Sequence, residues 1–155
     1  MEVIENLRIA RPDIALSGDF IVGFPGETDE DFEQTLELVR EVKYAQAYSF
    51  KYSTRPGTPA AENKNQVPEE IKSERLSRLQ ALLSQHQKEF MGTMVGKVLP
   101  VLLERPGRLD GQLVGRSEYL HGVHASIDQA QIGDIVNLRI LGADTNSLRA
   151  EFVSK

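Results

Sequence analysis

The sequence predicts an α/β chain that runs through one long helix into a small antiparallel β-barrel, and three observations carry that expectation. A β-forming run over residues 14–22 breaks at Gly23, turns at Pro25-Gly26 and enters an acidic helix start after Thr28; that is the order strand, glycine loop, helix. From Pro68 to Met91 the apolar residues keep helical spacing without a break. From Thr93 onward the chain becomes short alternating segments cut by glycine turns, about five strands in roughly sixty residues.

Taken in order, Val3, Ile4, Leu7 and Ile9 lie near helical spacing and stop before Pro12, which a helix would not extend through. After the first strand, residues 29–43 predict a helix with Phe32, Leu36, Val39 and Val42 on one face and Thr28 as its N-cap. Asp29, Glu30, Asp31 and Glu33 crowd its positive end, and helix-start electrostatics accounts for them better than catalysis or metal binding does. Tyr48, Phe50 and Tyr52 share one face of a second strand with Lys51 on the other. The crossover is long enough to make the two strands parallel. Both then end on one rim, where ligands bind in such folds. The loops 24–27 and 53–58 face that side, and Arg55 is the strong cation placed there. A loop arginine that only pairs a neighbour is the equally weighted alternative.

Two parallel strands leave two raw edges, so residues 1–66 are expected to be the tail of a larger α/β barrel or sheet whose other strands precede Met1. Residues 67–92 are expected to be a connecting helix, with Ile71, Leu76, Leu79, Leu82, Leu83 and Phe90 as its packing stripe and His86 on the same side. Residues 93–155 are expected to close as a barrel of the OB-like kind. Val136, Leu138 and Ile140 alternate with Asn137 and Arg139, and Leu148, Ala150 and Phe152 with Arg149 and Glu151, so one face is core and the other wet. Wet-face candidates for a polyanion are Lys97, Arg105, Arg108, Arg116, Arg139 and Arg149. His121 and His124, three apart on an extended segment, diverge too far for a metal site.

With 155 residues and 40% hydrophobic content the chain can bury a real core. It has no membrane-length apolar run and no signal-peptide pattern at its start, so a cytoplasmic location is expected. There is no cysteine. That excludes disulfides, thiolate zinc sites, cysteine nucleophiles and the usual iron–sulfur ligands. Residues 1–91 hold 11 Lys or Arg against 16 Asp or Glu, whereas residues 92–155 hold 7 of each. The shift suggests two units with different tasks.

The run Asp19-Phe20-Ile21-Val22-Gly23-Phe24-Pro25-Gly26-Glu27-Thr28 resembles the fifth-strand motif of radical S-adenosylmethionine (SAM) enzymes, with Asp19 where most of them have glycine. Methylthiotransferases depart in that same way. Tyr52-Ser53-Thr54-Arg55-Pro56-Gly57-Thr58-Pro59-Ala60 is similar to their sixth strand, and Thr93–Lys155 to their RNA-binding TRAM barrel. Asn146-Ser147-Leu148-Arg149 resembles the branch acting on N6-dimethylallyladenosine in tRNA. The resemblance implies the C-terminal part of a radical-SAM barrel followed by a TRAM domain. It implies a SAM wall at Ile21, Gly23 and Pro25, a substrate rim at Tyr52 and Arg55, no catalytic residue in this stretch, and RNA contacts from the six cations above. It implies methylthio insertion at C2 of the modified adenosine at tRNA position ~37, after hydrogen abstraction by a deoxyadenosyl radical, with the hard chemistry in SAM and two 4Fe–4S clusters. The cluster cysteines would lie in an N-terminal domain and early barrel outside this stretch, so residues 1–155 alone are expected to be inert.

The implied partners are the anticodon stem–loop of tRNA and the missing N-terminal portion, in a monomer. Loss of Arg116 or Arg149 is expected to weaken RNA binding. Within the same class the alternative substrates are threonylcarbamoyl-adenosine in tRNA and an aspartate of a ribosomal protein. From another class, the alternative is a non-catalytic OB-like RNA-binding adaptor.

Overall fold

A computed structural model describes residues 1–155, which form two compact units, Met1–Gln87 and Lys88–Lys155. The first unit is built on a parallel pair of strands, β1 (Ser17–Val22) and β2 (Gln46–Lys51), with Ser17 opposite Gln46 and Val22 opposite Lys51. Helix α1 (Glu2–Ala10) precedes them and buries no residue. Helix α2 (Asp29–Val42) makes the crossover, and its limits follow from local chemistry. The Thr28 side chain accepts from the Asp31 N–H while the Asp31 carboxylate accepts from the Thr28 N–H, a reciprocal capping box. The Thr28 N–H and then the Thr28 hydroxyl, both donating to the Asp31 carboxylate, hold that carboxyl below its ordinary range. At the other end Lys43 takes a left-handed conformation, φ 48, and its N–H closes on the Val39 carbonyl.

Short α3 (Pro59–Glu62) leads to α4 (Glu69–Gly92). Leu79 and Leu83 of α4 pack with Val22, Phe32, Leu36 and Val39 into the core of the first unit. Ile71, expected in the packing stripe, is exposed. Lys72 and Arg75 are buried instead, together with Leu79, Leu83 and His86, which were expected on that side. Long cationic side chains can do this because their stems are apolar and their heads find acceptors at the edge of the core. The opposite face of the sheet, bearing Asp19, Ile21, Tyr48 and Phe50, is open to solvent.

The second unit is a closed five-stranded barrel in the order β3 (Val98–Pro106), β4 (Gln112–Ser117), β5 (Gly122–Ser126), β7 (Leu148–Ser154), β6 (Ile135–Ala143). Four of its pairings are antiparallel. The fifth, β5 with β7, is parallel, which corrects the expectation of a purely antiparallel barrel. Closure forces this pairing, because β5 and β7 run in the same direction once each has paired antiparallel with its other neighbour. Alternation places Val101, Leu103, Val123, Val136, Leu138, Ile140 and Leu148 inside, each at most 1% exposed. The β segments expected from Thr93 onward begin only at Val98. Residues 93–97 are instead wound as turns whose N–H groups from Thr93, Met94 and Lys97 bond carbonyls three or four residues back. No helix in the chain is long and apolar enough to cross a membrane.

His121 is buried, its ring 5.5 Å from Phe90 and 6.4 Å from Tyr119, and neither ring nitrogen has a hydrogen-bond partner. Burial lowers its pKa. With the folded pKa below the unfolded value of about 6.5, the unfolded chain binds a proton that the folded unit refuses, so stability falls as pH drops below about 6.5. A lower thermal midpoint of the second unit at pH 5.5 than at 7.5 is expected. The difference should shrink in His121→Phe, and an equal difference in the variant would rule out this residue as its source.

Candidate functional sites

In the first unit the loop after β1 is a built structure rather than a free turn. Gly23 has φ +72, a conformation that side chains disfavour. A Cβ there would meet Lys72 Cγ at 2.4 Å. The approach that Gly23 permits on that side is therefore to the stem of Lys72, not to a ligand. Its N–H donates to Glu27 Oε1 at 2.9 Å. Arg75 holds the same carboxylate: its Nη1 lies 2.6 Å from Glu27 Oε1 and 3.2 Å from the Glu27 carbonyl, and its Nη2 2.6 Å from Asp29 Oδ1. Burial works against the guanidinium charge, yet the bonds to Asp29 and Glu27 carry its pKa above the ordinary arginine value. Pro25 is buried, while Ile21 and Phe24 are exposed beside the loop and offer apolar surface to a flat ligand.

The exit of β2 lies along the same rim. The Tyr52 N–H continues the ladder to the Val22 carbonyl at 2.8 Å, and its ring meets Phe24 edge to face at 5.2 Å. Lys72 Nζ reaches the Tyr52 carbonyl at 3.4 Å. Arg55 is exposed; the turn beyond it is fixed by Thr58, whose Oγ1 donates to the Arg55 carbonyl at 2.8 Å. Lys72 and Arg75 escaped sequence reasoning. The available pattern was a cation every three residues, Lys72, Arg75 and Arg78, on the helix that follows an acid-crowded helix start; Arg78 pairs Glu33 in the same way.

In the second unit the six sequence-predicted cations separate. Arg116 Nε pairs with Glu104 at 3.3 Å and Arg139 Nε with Glu151 at 3.5 Å. Lys97 is exposed, one residue before β3. Arg105 and Arg149 are brought onto one face by register, and Arg108 joins Arg105 from the loop after β3. Arg105 is opposite Val114, Val114 opposite His124, and His124 opposite Arg149, so the four share the outer face in one row across β3, β4, β5 and β7. Arg149 then lies over Gly142 of β6, where a Cβ would stand 3.0 Å from its Nη2.

Val114 and His124 floor a groove of about 570 Å³, walled by Arg105, Arg108 and Leu109 on one side and by the 144–147 loop on the other. Gln112 fixes the first wall, its Oε1 accepting from the Arg108 N–H at 3.0 Å. His124 Nε2 is 3.7 Å from Asp144 across the floor. In OB-like barrels the second and third strands with these two flanking loops form the face that takes oligonucleotides. His124 belongs to that face, which its sequence spacing from His121 did not reveal.

Residues 92–153 match the TRAM domain family. Over 151 residues, 97% of its length, the chain is 61% identical to the tRNA-2-methylthio-N(6)-dimethylallyladenosine synthase of Agrobacterium fabrum. It spans about one third of that relative's length, 33%.

Proposed function

We infer that this chain, which is 61% identical over 97% of its length to a tRNA-2-methylthio-N(6)-dimethylallyladenosine synthase and matches the TRAM domain at residues 92–153, is the RNA-binding and cofactor-flanking part of such an enzyme. The observation that carries the reading is the 61% identity running through both units together, over 97% of the chain. The first unit supplies the end of a radical-SAM (β/α) barrel. Its open sheet face, bearing Ile21, Tyr48 and Phe50, is the surface that further strands and the ligand would cover.

SAM fits this rim in one respect: exposed apolar side chains at a strand end suit an adenine ring, with Ile21 and Phe24 as the open surface, the buried Pro25 behind it and Gly23 shaping the loop. Bound there, SAM would supply the radical chemistry, and this chain's residues would orient its adenosyl end. Iron–sulfur clusters do not fit, because no residue here offers a thiolate. Tyr52 and Arg55 are the candidate substrate rim. The substrate is N6-dimethylallyladenosine in the anticodon stem–loop of tRNA. The barrel groove holds the RNA, with Arg105 and Arg108 on its phosphates, the hydroxyl and amide groups of residues 145–147 beside them, and Arg149 outside the groove on the same face of the barrel. His124 is the one ring on its floor and no Phe, Tyr or Trp lines the groove, so it grips backbone more than it stacks bases.

The test is anisotropy of a labelled anticodon stem–loop against this chain at several salt concentrations. Arg105→Ala, Arg108→Ala and Arg149→Ala should each weaken binding and lower the salt slope by about one. Arg116→Ala and Arg139→Ala, whose cations already pair with Glu104 and Glu151, should change it little. Equal effects at all five positions would remove the groove from the reading, and no binding by the unsubstituted chain would remove the RNA.

A further inference from the structure

We propose that Lys72 and Arg75, one turn of α4, are positioning residues that clasp the two ligand-side loops of the first unit into one rim. Neither side chain is in a sequence motif for cofactor or substrate, yet each ties a loop that is.

Arg75 is buried, and its guanidinium uses both forks: one on Glu27, the other on Asp29. Glu27 passes that restraint on, because the same Oε1 that takes Arg75 also accepts the Gly23 N–H. A carboxylate with one rotamer fixed by a buried arginine is a rigid acceptor, so the left-handed backbone of Gly23 is held from the helix. Lys72 completes the clasp from one turn earlier. Its stem fills the space beside Gly23, and its ammonium sits 3.4 Å from the Tyr52 carbonyl and 5.5 Å from the Tyr52 ring centroid. Lys72 thereby touches both the β1 loop and the β2 exit, while Arg75 holds the β1 loop alone.

The consequence is that the rim has its shape only while α4 is docked, and that its geometry can be altered from α4 without touching any ligand. The inference uses the reading of the rim as a SAM wall only to say what the clasp serves. Its test is ligand-free, so failure of the cofactor reading and failure of the clasp are told apart.

Amide hydrogen exchange of the 155-residue chain, read residue by residue by NMR, provides that test. In Arg75→Met the Gly23 N–H should exchange about tenfold faster or more, as expected for loss of a charge-assisted bond. The Tyr52 N–H, held by the sheet ladder, should change less than about twofold relative to the core amides of α2. Arg75→Lys, which keeps the charge and loses the fork, should fall between the two. Lys72→Met, which keeps the stem, should leave Gly23 protected and loosen the residues after Tyr52. If Arg75→Met does not fold, Arg75→Lys decides by the same comparison. Unchanged Gly23 protection, or acceleration of Gly23, Tyr52 and the α2 amides by one common factor, would overturn the clasp.

Discussion

Gly115→Ala is expected to cost the barrel about 3 kcal/mol and to lower its thermal midpoint by roughly 15 °C. Gly115 is on β4 opposite Leu103, and a Cβ built on it would stand 2.1 Å from the Leu102 carbonyl oxygen and 2.8 Å from Val101 Cγ1. The obstacle is backbone of the neighbouring strand. Relief therefore requires β3 and β4 to separate where the inward side chains Val101 and Leu103 are at most 1% exposed. Gly122→Ala is the matched comparison, since its nearest neighbours would be 3.9 Å away. It should lie within about 0.5 kcal/mol of the unsubstituted chain. Thermal unfolding followed by near-ultraviolet circular dichroism gives both values, and a Gly115→Ala midpoint within a few degrees of Gly122→Ala would contradict the expectation.

Leu79→Ala is expected to destabilise the first unit by about 2–5 kcal/mol. Leu79 is fully buried in the cluster that joins α4 to Val22, Phe32, Leu36 and Val39. Truncation leaves a cavity between a helix and a sheet only two strands wide, which has little other apolar area to draw on. Urea unfolding followed by hydrogen exchange should show protection lost across α2 and β1. If α2 keeps its protection, Leu79 is not what holds α4 to this unit.

Legibility in the sequence followed the range of the interaction that decides each feature. Helix α2 was readable almost to the residue because its cap, Thr28 with Asp31, and its stripe, Phe32, Leu36 and Val39, lie within a few turns of one another. The wet and dry faces of β6 and β7 were readable for the same reason, since alternation is local. The parallel pairing of β5 with β7 was not, because His124 and Arg149 become neighbours only when the barrel closes. The groove shares that fate. The row of Arg105, Val114, His124 and Arg149 on the outer face is spread over four strands, and nothing in the spacing of the arginines separates Arg105 and Arg149 from Arg116 and Arg139, whose acidic partners come from neighbouring strands. In α4 the pattern favoured Ile71 over Lys72 and Arg75. Polarity assigns cations to water unless acceptors are known, and here the acceptors, Glu27, Asp29 and the Tyr52 carbonyl, belong to other elements.

The late position of β7 in the chain sets when the groove can exist. β3, β4, β5 and β6 can pair antiparallel as they are made, but the row stays open until Leu148 and Arg149 dock beside Val123 and His124. During synthesis that docking waits until β7 has been made and released from the exit tunnel, since long-range pairings form after local ones. A chain cut short before β7 would carry Arg105 and Arg108 on an unclosed sheet with a bare strand edge. Such an edge is a template for pairing with another chain.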